Sequence, residues 1–216
     1  MARLARLFWQ VGYRLQPHEA LEQSRRSGTA LCPTARGADY KNKYSVCLLG
    51  QHHHQSASRW HRRPEKNGPQ AIGRSRGGCT TKIHLVAAND RLALMFRLSP
   101  GQTGDAPEGR QLLQEGGPAP AGCSLLMDGA YEGDQTQELS RQLGYNPVVP
   151  PNPNRLSPWE YDRGMYRRRN EIERLFRRIK GYRRIFSRFD KLDVLFTGFI
   201  CLALIVEALR ISVNTP

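Results

Sequence analysis

The chain has no Cys-x-x-Cys pair, no unbroken apolar run of membrane-spanning length, and far fewer acids than bases. Its five cysteines, at 32, 47, 79, 123 and 201, are odd in number and scattered. That pattern argues against a disulfide framework or a zinc site and points to a reducing compartment. The longest apolar run, Val194 to Val206, has 13 residues and is interrupted by Thr197 and Gly198. It is too short for a bilayer, so a buried C-terminal helix and no membrane partner are expected. The basic start, MARLARLFWQVGYRLQ, lacks the apolar stretch and small-residue cleavage site of a secretory signal. Nineteen acids face 33 Lys and Arg, a formal charge of +14. A polyanion is the natural partner, DNA or RNA before an acidic membrane surface, and a cytoplasmic, nucleoid-associated place is expected.

Organisation is uneven along the chain. Residues 1–43 are irregular, and the apolar YSVCLL of Tyr44 to Leu49 predicts a strand. The histidine-rich stretch from Gly50 to Gly78 has neither helical nor strand periodicity. Then TTKIHLVAAN, a turn at Asn89-Asp90 and LALMFRLS predict a hairpin. A helix from Asp105, the strand CSLLM, a helix over 135–143 and a short strand NPVV come next. Two helices end the chain, one from about Tyr166 to Phe186 and one from about Lys191 to Ile211. This order predicts an α/β protein with one mixed sheet and helices packed on it.

Two features carry chemistry. Asp128 stands where the apolar strand of LLMDGAY gives way to Gly129. An acid at the carboxyl end of a strand faces a cleft in open α/β sheets, although many such acids only cap a turn. More specific is Tyr166, Arg169, Glu173 and Lys180, in the spacing Y-x2-R-x3-E-x6-K. On one continuous helix the four fall within an arc of about 60° at ~100° per residue. Beside them runs an apolar stripe of Ile172, Leu175, Phe176, Ile179 and Phe186. An ordinary ion pair of Glu173 with Arg169 or Arg177 is the competing explanation.

Cutting and joining phosphodiesters needs an activated oxygen nucleophile and a stabilised leaving oxygen. Two Mg2+ ions about 4 Å apart, held by carboxylates from separate elements, supply both. Asp128 and Glu173 are the available pair, with Arg169 and Lys180 placed to hold phosphates and Tyr166 to stack or hydrogen-bond on the strand.

The spaced Tyr166, Arg169, Glu173 and Lys180, with GRSRGGCTTKIHLVA, LSPGQTGDA, LLMDGAYEGD and RIFSRFDKL, resemble DDE-type insertion-sequence transposases of the IS-four and IS-five type. The resemblance covers residues 66–210. It implies an RNase H-like mixed sheet flanked by helices over residues 44–211, Mg2+ or Mn2+ as cofactor, and transposon-end and target DNA as partners of a homo-oligomer. It makes Asp128 the second catalytic and metal-binding acid and Glu173 the third. Eleven Lys or Arg lie between Arg167 and Lys191, while Arg74, Arg76 and Lys82 flank the first hairpin as further DNA-binding candidates.

The first catalytic aspartate is missing. The strand YSVCLL is followed by Gly50, and no acid comes before Glu65. Codons can be chosen for Gly50 to Arg63 that, read one base later, give DSTTIRAHQDGTG, the kind of sequence the family carries there. Residues 50–66 are therefore expected to be an out-of-frame, irregular segment, with the frame recovered near Glu65-Lys66-Asn67. On that reading His52, His53 and His54 form a loop in the wrong frame and not a metal site. The alternative to an impaired transposase is a DNA-binding remnant without catalysis.

Overall fold

The computed structural model describes residues 29–31, 46–56 and 68–213. Eight strands form one sheet: β1 (Thr29–Leu31), β2 (Val46–Ser56), β3 (Gly73–Ser75), β4 (Gly78–Ala87), β5 (Ala93–Pro100), β6 (Ser124–Met127), β7 (Asn146–Val148) and β8 (Ser187–Arg188). The main order is β1-β5-β4-β2-β6-β7. Neighbours are antiparallel from β1 to β2, whereas β2, β6 and β7 run parallel. The antiparallel meander followed by parallel strands on the far side of β2 is the α/β, RNase H-like arrangement expected.

Side chains alternate across the sheet, and consecutive residues of β2 show which helices cover each face. A Cβ on Gly109 would lie 3.4 Å from Leu49, so α1 (Asp105–Gly116) covers the Leu49 side with α2 (Asp134–Gln142) beside it. Gly50 points the other way, against Ile172 of α4 (Asn170–Lys180). That second layer also holds the short α5 (Arg183–Phe186) and the long α6 (Asp193–Val213). The core is fully buried at Leu48, Leu49, Leu85, Leu125, Leu126, Leu175 and Ile179.

Four expectations change. First, Thr29–Leu31, inside the stretch expected to be irregular, adds a strand to the edge of β5. Second, β2 does not end at Leu49 but continues through the histidines to Ser56, paired with β4 from Leu48↔Ala87 to Gln55↔Thr80. A backbone ladder is indifferent to side-chain type, and the β-branched β4 offers a full row of partners. Third, the single helix over 166–186 is four pieces: α3 (Arg163–Tyr166), a 3-10 turn at Arg167–Arg169, α4 and α5. Gly181, poor in helix propensity, closes α4, and Tyr182 turns extended. The break rotates α5 relative to α4, so Ile185 is buried and Phe186 is 59% exposed, outside the stripe it was expected to join. Fourth, the apolar part of α6 spans 19 residues, Asp193–Ile211, long enough by length and composition to cross a bilayer. One of its faces is in the core, through Phe196, Ile200, Ala203 and Leu204.

Candidate active site

The cleft is built where β2 and β6 run side by side. Their register pairs Leu49 with Met127, so the next residues, Gly50 inside β2 and Asp128 just past the end of β6, are neighbours. From the α4 layer, Ile172 and Phe176 of the buried stripe anchor the helix and aim Glu173, Arg177 and Lys180 along its edge. The resulting cavity of about 310 Å³ is lined by Gly50, Gln51, His52, Asp128, Arg169, Ile172, Glu173, Phe176, Arg177 and Lys180.

Arg169 ties the two acids together. Its Nη2 donates to Glu173 Oε1 at 2.5 Å, and its Nη1 lies 3.9 Å from Asp128 Oδ2. Burial alone would lower the guanidinium's pKa, but the charges of Asp128, Tyr166 and Glu173 more than offset it and hold it above the ordinary value. Asp128 also does what an acid after a strand often does: its Oδ1 accepts from the Gly129 N–H at 2.7 Å and starts a 3-10 turn. Its second oxygen is left for the cleft. Burial, then the charge of Arg177, lowers the Lys180 pKa.

The sequence-derived residues divide clearly. Asp128, Arg169, Glu173 and Lys180 meet in the cleft. Tyr166 stands behind them, its ring centroid 5.8 Å from the Arg169 guanidinium carbon. Arg74 and Arg76 are exposed on β3 and its turn, away from the cleft lining. Lys82 is a correction: it lies on the opposite face of the sheet, nearly buried, with Nζ 2.7 Å from Asp105 and 2.6 Å from the Thr103 carbonyl. An ammonium enclosed by its own partners is not available to a phosphate.

Arg177 and His52 are cleft residues that the motif did not include. Arg177 was visible only as a possible partner of Glu173, one turn on. His52 reaches the cleft because it shares the Gly50 face of β2, where its ring lies 5.6 Å from that of Phe176. Alternation sends His53 to the α1 side, so the three histidines do not converge. Among the described residues no three His, Cys, Asp or Glu side chains are grouped to hold a metal ion.

The sequence pattern described as "Transposase DDE domain" matches residues 51–206, more than half of the chain and all of the cleft beyond Gly50. The chain belongs to the DDE transposase family. A Brucella ovis protein named "Putative transposase for insertion sequence element IS6501" is 34% identical over 132 residues, covering 61% of this chain and 99% of that protein. No solved structure matches.

DDE transposase domains act on DNA and generally use divalent metal ions. The residues present fit such ions incompletely. Asp128 and Glu173 are the hard oxygen donors a metal would require, but Gly50 contributes no side-chain donor beside Asp128, and Arg169 already bridges the pair. What the cleft does offer is three cations, Arg169, Arg177 and Lys180, against two carboxylates.

Proposed function

We propose that residues 44–211 are the catalytic domain of an insertion-sequence transposase that engages transposon-end and target DNA as a homo-oligomer, and that strand cleavage and transfer are severely reduced in this chain. The observation that carries the reading is Gly50 beside Asp128, at the point of β2 where the family's first aspartate belongs. Two acids with no third carboxylate would hold Mg2+ or Mn2+ weakly. DNA binding needs neither ion. Arg169, Arg177 and Lys180 in the cleft, with the exposed Arg167, Arg168 and Arg174 nearby in the chain, offer a basic track for a phosphate backbone. The DNA-binding remnant remains the second reading, favoured by the guanidinium lodged between the two acids.

The misfit of β2 supports a shifted reading frame over residues 50–66. His54 is 1% exposed, yet its Nε2 has no hydrogen-bond partner, and the Gln51 Oε1 is likewise buried and unpaired. The alternative frame would place aspartate at position 50, serine at 51 and isoleucine at 54. Those are a ligand in the cleft, a smaller polar group, and an apolar side chain facing Phe196, where His54 leaves one ring nitrogen unpaired.

The deciding experiment is a nicking assay with Mg2+ or Mn2+ on duplexes carrying the element's own termini, run on this chain and on Gly50→Asp. Nicking only by the variant supports the reading, and ordinary rates from the unmodified chain sink it. The nucleotide sequence across codons 44–70 tests the frame separately.

A further inference from the structure

The long helix α6 is apolar on two sides, and the core accounts for only one. Phe196, Ile200, Ala203 and Leu204 are buried. On the outer side, Leu195 is 52% and Leu202 59% exposed, and Val206 and Leu209 are half-buried. Gly198 lies among them, and a Cβ added to it would meet no atom within 4 Å. At ~100° per residue, Leu195, Gly198, Leu202, Val206 and Leu209 fall within an arc of about 80°.

The spacing of this stripe is symmetric. Leu195 and Leu209 lie seven residues either side of Leu202, and Gly198 and Val206 lie four either side. A two-fold axis through Leu202 would set Leu202 against its own copy, Leu195 against Leu209, and Gly198 against Val206. The last pair is complementary in size, since the missing side chain of the glycine is a socket for the valine. Such pairing of one patch with itself is what a closed dimer requires. The antiparallel arrangement also sets opposite ends of the two helix dipoles together.

From these observations we infer that the outer stripe of α6 is the surface by which a second copy of this chain docks. It deepens the homo-oligomer part of the proposed function, and its test needs neither DNA nor metal. DNA does not fit the stripe, because the run from Val194 to Val206 has no charged side chain to meet phosphates. A membrane fits less well, since α6 also carries Glu207, buried and paired with Arg91 at 3.1 Å, and inserting the helix would strip that pair. The stripe is about 21 Å long at ~1.5 Å per residue. Roughly 400 Å² per copy, or about 800 Å² in total, falls short of the ~1,200 Å² total of stable complexes, so the contact is weak and reversible.

The test is sedimentation of the full chain without DNA across the micromolar range. Reversible dimerisation is expected, abolished by Leu202→Glu and weakened about tenfold or more by Gly198→Leu. The glycine variant is the informative one: it fills open space on the monomer, so helix content should be kept or raised while the socket is lost. Leu202→Cys should form a disulfide-linked dimer on oxidation in excess of the parent chain. A monomer at all concentrations, or a dimer indifferent to both substitutions, overturns the inference. So does binding to phosphatidylglycerol vesicles that Gly198→Leu strengthens and Leu202→Glu abolishes, with no self-association.

Discussion

Gly50 stands against Ile172: a Cβ on the glycine would lie 3.0 Å from Ile172 Cδ1 and 3.2 Å from its Cγ2. The obstacle is the far end of one flexible side chain and not backbone, so a larger residue at position 50 fits once Ile172 shifts by a few tenths of an ångström.

Gly50→Asp is therefore expected to fold, at a cost of about 1–2 kcal/mol from the tight contact. Its carboxylate would join Asp128 and Glu173. Calorimetric titration should show Mn2+ binding strengthened about tenfold or more over the parent. In that background Glu173→Gln should remove nicking and leave DNA binding in place. Unchanged Mn2+ affinity in the Gly50→Asp variant would show that position 50 does not complete the site.

Arg169→Gln removes the cation between the two acids. Glu173 has a half-exposed side chain, so the lost pair should change stability by less than about 1 kcal/mol. DNA binding should weaken instead, and its dependence on the logarithm of salt concentration should fall by about one phosphate contact. Filter binding across a salt series measures both. A large loss of stability with an unaltered salt slope would make Arg169 structural.

Acid lability should trace to buried histidines. Burial pushes the pKa of His54 and that of His84 down to about 4, from an ordinary value of 6.5. The unfolded chain therefore binds more protons than the folded one between these values. The stability is fully present above pH 6.5 and is lost as the pH falls toward 4, by up to about 3 kcal/mol per histidine. His54→Ile should abolish its share, while at neutral pH the relief of one unpaired nitrogen is offset by loss of the Nδ1 hydrogen bond to the Ile185 carbonyl, which leaves stability within about 1 kcal/mol of the parent. Urea melts at pH 7 and pH 5 check this, and a variant that loses as much stability between the two as the parent would refute it.

Arg188→Met should be severe. This arginine is 0% exposed and donates to Asp193 at 2.6 Å, to Thr81 Oγ1 at 2.7 Å and to the carbonyls of Ala71, Asp190 and Lys191. Asp193 in turn accepts from the Ala71 N–H, so the cluster fastens residues 69–72 to the start of α6. Breaking a buried pair on one side costs about 3–5 kcal/mol. Thermal melts should show that loss, and hydrogen exchange should rise first at Ala71.

Much of the fold was legible because it is local. The β4–β5 hairpin, α1, β6, α2 and β7 follow from alternation, apolar runs and Gly or Pro punctuation in short windows. Asp128 was legible as an acid closing an apolar strand, and Glu173 because a fixed spacing beside an apolar stripe marks a helix edge. What failed was everything that depends on a partner. β2 extends through His52, His53 and His54 because β4 lies beside it, and Lys82 was misread because its companion Asp105 comes from another element. Phe186 was misplaced by a helix break at one glycine.

By itself the sequence determined the basic charge, the element order, the transposase resemblance and the absence of an acid at position 50. Only the tertiary structure decided that Gly50 adjoins Asp128, that Arg169 bridges both acids, and that α6 keeps an apolar face outward. The first set depends on composition and on neighbours along the chain, which periodicity reports directly. The second depends on strand register and on which face of each element meets another, and those are settled by packing between residues distant in sequence.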